Sequence, residues 1–248
     1  MSDESPVGRT AAVIPAAGRG VRLGPGAPKA LRTVGGTPML VHAVRAMARS
    51  RAVSVVVVVA PAAEAAEVRL LLGEHALPER TEVLVVPGGE TRQESVRAGL
   101  DALPPDVTAV LIHDAARPLV PVDTVDAVVE AVRDGARAVV PALPPADTVK
   151  EVEPGRPGEP ETVVATPERA RLRAVQTPQG FDLATLREAH AAVAVAGEGA
   201  TDDAGMVERL GVPVVVIPGH EEAFKVTRPL DLVLAEAVLA RRRATDGY

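Results

Sequence analysis

Hydrophobic residues in this chain gather in short unbroken runs instead of alternating with polar ones. AAVIPA at 11–16, VSVVVVVA at 53–60, EVLVVP at 82–87, TAVLIHD at 108–114, ARAVVPA at 136–142 and VPVVVIPG at 212–219 are all rich in valine and isoleucine. Apolar character sustained over the length of a strand predicts strands covered on both faces, the condition of a parallel sheet lying between layers of helices. Segments 38–49, 61–74, 91–103 and 122–134 fall between these runs and read as helices, so strand and helix alternate as in βαβ units. Helices are expected again at 182–195, 202–210 and 230–243, the second closed by Gly211 and the third preceded by Pro229. The fold class is α/β with a predominantly parallel sheet.

One stretch breaks the alternation. From Pro145 to Phe181 the chain turns polar, and DTVKEV and ETVVAT within it read as two modest strands joined by the turn EPGRPGEP. The excursion is too small to fold alone, so residues 1–248 are taken as one domain with a protruding β-arm at 147–175. A two-stranded arm is marginal by itself and needs a surface to pack on. That surface is either its own domain or a second copy of the chain.

Composition narrows the function. Hydrophobic residues make up 47% of the 248, enough for a substantial core. The absence of cysteine removes disulfides and thiolate chemistry and is compatible with a reducing compartment. The opening MSDESPVGRT has no apolar stretch suited to a signal peptide, and no later run approaches the roughly 20 apolar residues of a membrane span. A soluble cytoplasmic protein without a membrane partner is expected. A net charge of -6 argues against a broad nucleic-acid surface, and Phe181, Phe224 and Tyr248 are the only aromatics from which a base-stacking platform could be built.

Against that acidic background, cations and glycines collect where strands end, the edge at which open parallel sheets bind ligands. The loop after the first strand carries Gly18, Gly20, Gly24 and Gly26 with Arg22 and Lys29. It matches neither the dinucleotide fingerprint nor the P-loop. Glycines still let backbone amides converge on phosphate oxygens while a nearby cation neutralises them. GGETRQES at 88–95 is a strand-to-helix turn in which Thr91 and Glu94 read as a capping box, with Ser95 available to a base or sugar. HDAARPLV at 113–120 brings Asp114 and Arg117 to the end of the fourth strand; an Asp114–Arg117 ion pair is the structural expectation there, and His113 reads as a packing residue. TPQGF at 177–181, TDDAGMVERLG at 201–211, with Thr201 or Asp202 as N-cap, and FKVTRPLD at 224–231, with Lys225 beside Phe224, complete the polar set. No zinc-ligand spacing, EF-hand loop or G-x-S-x-G elbow is present.

Taken in order, PAAGRGVRLGPGAPK, GGETRQESV, HDAARP, DTVK, TPQGF, TDDA and KVTRPLDL resemble the 2-C-methyl-D-erythritol 4-phosphate cytidylyltransferases over about residues 11–240. The resemblance implies a Rossmann-like nucleotidyltransferase domain, a homodimer joined through the arm, and transfer of CMP from CTP to a polyol phosphate with Mg²⁺ as cofactor. By the same resemblance Ala16, Ala17, Gly18, Arg19 and Gly20 surround the triphosphate, and Gly89, Glu90, Ser95 and Asp114 contact base and ribose. Arg117, Thr148, Thr177 and Thr201 shape the sugar-phosphate pocket, and Arg22, Lys29, Arg169 and Lys225 carry the catalytic charge. No direct protein ligand to the metal is implied. Two departures from the family pattern stand out: Ala30 where glutamine commonly follows the lysine, and Ala223 where asparagine is often found.

The chemistry so implied needs little acid–base help. A phosphate monoester has its second pKa near about 6, so at neutral pH its oxygen is already a nucleophile toward the α-phosphorus of CTP. A cytidylyltransferase acting on ribitol 5-phosphate has similar motifs, and a non-enzymatic nucleotide sensor is the alternative from another class. The cations at 22, 29, 169 and 225 weigh against the sensor.

Overall fold

A computed structural model describes residues 8–18, 28–156, 158–196 and 202–246. In chain order its elements are β1 (Arg9–Pro15), β2 (Thr33–Val34), β3 (Thr37–Pro38), α1 (Met39–Arg49), β4 (Val53–Ala60), α2 (Ala65–Gly73), β5 (Glu82–Pro87), α3 (Arg92–Asp101), β6 (Val107–Ile112) and α4 (Val122–Arg133). There follow β7 (Ala138–Leu143), β8 (Glu151–Glu153), β9 (Thr162–Ala165), β10 (Ala174–Val175), β11 (Gln179–Asp182), α5 (Leu183–Ala196), α6 (Asp203–Arg209), β12 (Val215–Pro218) and α7 (Pro229–Asp246).

The unbroken valine runs have the expected cause. In β4, Val56, Val58 and Ala60 belong to the core on one face of the sheet, with Leu40, Val44 and Met47 of α1 and Val125 and Val129 of α4. Val55, Val57 and Val59 belong to the other, with Val96 and Leu100 of α3 and Leu186 of α5. Strands buried on both sides have no polar face to display. Gly99 lets α3 approach closely, because a Cβ there would lie 2.4 Å from Val13 Cγ1. A third, smaller cluster joins Val34, Met39, Leu119 and Val226 to Ala235 of α7.

From one edge the strands run β5, β4, β1, β6, then β11 with β10, then β7 and β12. β1 pairs in parallel with β4 on one side and with β6 on the other, so strand order reverses at β1. The crevice at the carboxyl ends of β1 and β6 is where such a sheet receives its ligand.

Two features were not anticipated. Residues 174–182, read as part of the polar excursion, return to the sheet: β11 inserts between β6 and β7 antiparallel to both. It is short, and its QGFD sequence lacks the valine-rich signature of the other strands. β2 and β3 form a small ribbon about Gly35 and Gly36, both at positive φ. Its Gly-Gly turn was a legible hairpin signal. The arm is present as expected, with β8 and β9 paired in a sheet of their own.

Candidate active site

Two adjoining hollows, of about 180 and 110 Å³, lie at the carboxyl ends of β1 and β6 and share Pro15, Gly18 and Asp114. The larger is closed by Ala17 and by Gly89, Glu90, Thr91, Arg92 and Ser95, the segment joining β5 to α3. The smaller is lined by Ala16, Lys29, Ala30, Ala115, Ala116 and Lys225. Residues from four of the seven sequence motifs line these hollows, and two more support them, TPQGF through Thr177 and TDDA through Asp203. Arg19, Gly20, Arg22 and Thr201 lie outside the described residues.

Asp114 is the electrostatic centre. Its carboxylate is 2.7 Å from Lys225 Nζ and 3.8 Å from the Arg92 guanidinium. Burial presses its pKa upward, but Lys225 and Arg92 outweigh burial and hold it below the ordinary carboxylate value. The expected Asp114–Arg117 ion pair is not formed. Arg117 instead donates to the carbonyls of Ala223 at 2.6 Å and Val175 at 3.3 Å, fastening the loop after β6 to β10 and to the turn before Lys225. Ala223, where the family pattern has asparagine, is fully buried at this junction.

Arg92 was not picked out in the sequence, although it stands inside GGETRQES. Its NH1 lies 2.7 Å from Asp203, a carboxylate with no exposed surface, and the other Asp203 oxygen is 3.0 Å from His190 Nε2. Burial opposes the charge on Arg92; Asp203 and then Asp114 overcome it and raise its pKa. The second acid of TDDA thus anchors a cation in the larger hollow, while the first, Asp202, caps α6 by accepting from Gly205 N at 2.9 Å.

The capping box of α3 is formed as read: Glu94 N donates to Thr91 Oγ1 at 3.1 Å, and Glu94 Oε2 accepts from Thr91 N at 3.0 Å and Glu90 N at 2.8 Å. Ser95 is buried, and its hydroxyl donates to Thr91 O at 3.0 Å, so its proton is spent locally. Thr177 is likewise buried and structural in this chain. It accepts from Asp114 N at 3.0 Å and donates to His113 Nδ1 at 3.1 Å, which leaves His113 Nε2–H to donate to Arg117 O at 3.2 Å. Thr148 and Arg169 are exposed on the arm side of the chain and line neither hollow.

His113 is a packing residue, as read, and the network keeps it neutral. Burial lowers its pKa from 6.5 to about 4. The folded form refuses a proton that the unfolded chain accepts below its own pKa near about 6.5, so stability is full above that pH and falls until the folded pKa is reached. Between pH 7 and pH 5 this group alone should remove about 2 kcal/mol. His42 is shifted in the same direction and adds to the loss, whereas Asp114, with a lowered carboxylate pKa, contributes only at more acid pH. Urea unfolding at the two pH values checks this; equal stabilities would contradict a neutral buried His113.

An open sheet with Gly18, Lys29, Lys225 and Asp114 gathered at the point of strand reversal has the arrangement of a nucleotidyltransferase. The chain belongs to one family of that class: residues 10–241 match the model of the 2-C-methyl-D-erythritol 4-phosphate cytidylyltransferases. A Streptomyces coelicolor protein of that name is 78% identical over 97% of this chain and 88% of its own length, and one from Streptomyces avermitilis is 76% identical with both chains fully covered. The crystal structure of the Thermus thermophilus 2-C-methyl-D-erythritol 4-phosphate cytidylyltransferase is 38% identical, with a TM-score of 0.72 over 94% of this chain and 99% of that one.

Proposed function

We infer that this protein transfers CMP from CTP to 2-C-methyl-D-erythritol 4-phosphate and releases pyrophosphate. The observation that carries the reading is the convergence of Lys29, Asp114 and Lys225 on one hollow beside the Gly89–Ser95 hollow. The polyol phosphate is its own nucleophile. The chain must therefore place it in line with the α-phosphorus and hold the charge that develops on the attacked and departing phosphates. Lys225, braced by Asp114, faces the attacked phosphate in this reading, and Lys29 and Arg22 hold the departing ones. A buried His113 with no free nitrogen agrees with chemistry that needs no general base.

Among the described residues no cluster of three or more acidic or histidine side chains could hold a metal ion. Asp114 is the one carboxylate lining both hollows. That donor set fits Mg²⁺ carried mainly by nucleotide phosphates, with Asp114 the side chain able to join them. When bound, the ion neutralises triphosphate charge and polarises the attacked phosphoryl group.

The larger hollow is assigned to the base. Glu94 already occupies the amides of Glu90 and Thr91, which leaves acceptors in excess of donors in that segment. Cytosine offers an amino donor where uracil offers an acceptor. With methylerythritol phosphate as co-substrate, CTP is expected to exceed UTP in kcat/KM by on the order of 10²-fold. Equal efficiencies in a coupled pyrophosphate assay would reject the base assignment, and preference for a purine nucleotide would reject the function.

The arm is assigned to a homodimer in the cytoplasm. Val163 and Val164 of β9 are 52% and 56% exposed on a hairpin whose strands, among the described residues, pair only with each other, an apolar surface suited to burial by a second copy. Thr148 and Arg169, which line neither hollow of their own chain, then complete the sugar-phosphate pocket of the partner. Replacing Val163 and Val164 together by aspartate should convert dimer to monomer in sedimentation and raise the KM for the polyol phosphate at least about tenfold, since both residues are exposed and their loss spares the core. CTP affinity should stay within threefold. A dimeric variant with an unchanged KM would contradict the assignment.

A further inference from the structure

A third hollow, of about 260 Å³, shares no lining residue with the two at the sheet edge. α1, the segment Pro118–Val122 and the last turns of α7 enclose it, and it is strongly cationic. His42, Arg45 and Arg49 project from one face of α1 at helical spacing, and Arg242 and Arg243 come from α7. Like charges stacked along a helix face repel one another, and this chain carries a net charge of -6. The concentration of guanidinium groups here runs against both.

Among the described residues, carboxylates leave most of the cluster unneutralised. Among the described residues Arg242 is the one lining arginine held by an acid, through Nε at 2.8 Å from Glu222. Arg45 spends Nε on the carbonyl of Ala76 at 3.2 Å, and Arg243 donates to the carbonyl of Gly35 at 3.3 Å. Among the described residues neither these two nor Arg49 has a carboxylate partner. His42 registers the field: burial first, and then Arg45, Arg243 and Arg49, push its pKa down against the hydrogen bond it donates to Val34 O at 2.8 Å. Leu119, Val120, Val122 and Leu239 form an apolar floor that strengthens the field by excluding water.

We propose that this hollow binds a diphosphate-bearing small molecule, gripped by Arg45, Arg49 and Arg243. Guanidinium forks match phosphoryl oxygens two at a time. Three uncompensated cations exceed the roughly −1.5 to −2 charge of a single phosphate group and suit two linked ones.

His42 lines the hollow and reports its occupancy independently of the catalytic cleft. Its ring signals are followed by NMR against pH in the intact protein, with nucleotide and Mg²⁺ omitted, while inorganic pyrophosphate, inorganic phosphate or potassium chloride is added at matched ionic strength. Pyrophosphate should raise the His42 titration midpoint by about one pH unit or more, saturably and at lower concentration than phosphate, and chloride should leave it in place. The Arg45→Gln/Arg243→Gln double variant should lose the response while its turnover of CTP stays within twofold of the parent. A midpoint unmoved by millimolar pyrophosphate in the unaltered protein would overturn the site. So would an equal response to chloride. Tighter binding of phosphate than of pyrophosphate would overturn the assignment to a diphosphate.

Discussion

Lys29→Ala lowers kcat by on the order of 10² to 10³, the effect of deleting a donor aimed at transition-state charge. Lys29 begins the short 3-10 turn Lys29–Leu31 that follows the glycine loop, and it lines the same hollow as Asp114 and Lys225. A cation so placed acts on phosphates that gain charge as the bond to the α-phosphorus breaks, so the loss falls on kcat more than on the KM for CTP. The turn is held by backbone bonds from Leu31 N to Pro28 O and from Arg32 N to Lys29 O, and the core contact is made by Ala30. Thermal unfolding should therefore move by no more than a few degrees. Steady-state kinetics decide the matter, and a variant within threefold of the parent would remove Lys29 from the catalytic set.

Asp203→Asn is expected to destabilise the fold and loosen the nucleotide together. Asp203 joins α6 to α5 through His190 and to α3 through Arg92, with both of its oxygens engaged and none of its side chain exposed. Removing one partner of a buried ion pair costs about 3 to 5 kcal/mol. Because the Arg92 side chain keeps 37% of its exposure and can be partly solvated, a loss of about 2 to 3 kcal/mol is expected. That corresponds to a fall in Tm of roughly 5 to 10 °C for a chain of this size. With its anchor gone, Arg92 no longer sits fixed beside Asp114, and CTP affinity should drop by about tenfold. Calorimetry paired with nucleotide titration below the new Tm checks both. An unchanged Tm would show that the buried bridge contributes nothing, and an unchanged affinity would show that Arg92 needs no anchoring.

What the sequence made legible, and what it did not, follows from the range of the forces involved. The parallel strands and their covering helices were readable because each signal is local: a valine run in β4, a capping box at Thr91, Gly211 at positive φ just past α6. β11 escaped because its place between β6 and β7 is set by partners on both sides, and its own QGFD carries no strand signature. Gly180 marks the place afterwards: a Cβ there would lie 2.5 Å from Val128 Cγ1 of α4.

The site divides the same way. Asp114, Lys29 and Lys225 were found through motifs, but which charge meets which was not, since ion pairs here join segments far apart in the chain. Arg117 is the clearest case. It stands three residues from Asp114, which favours a local pair, yet the carbonyls of Ala223 and Val175 take its guanidinium and Lys225 takes the carboxylate. Arg92 and Asp203 each sat inside a recognised motif, and neither shows its role until α3 and α6 are brought side by side. The cationic hollow between α1 and α7 has no local signature either, its arginines being divided between two distant helices.

Pyrophosphate release reports the identity of the acceptor without an intervening step. Protein, Mg²⁺ and CTP are mixed in turn with 2-C-methyl-D-erythritol 4-phosphate, with ribitol 5-phosphate and with no acceptor. Release in proportion to acceptor is expected with methylerythritol phosphate and background release in the other two. Turnover with ribitol phosphate in its place, or none with either, would contradict the proposed acceptor.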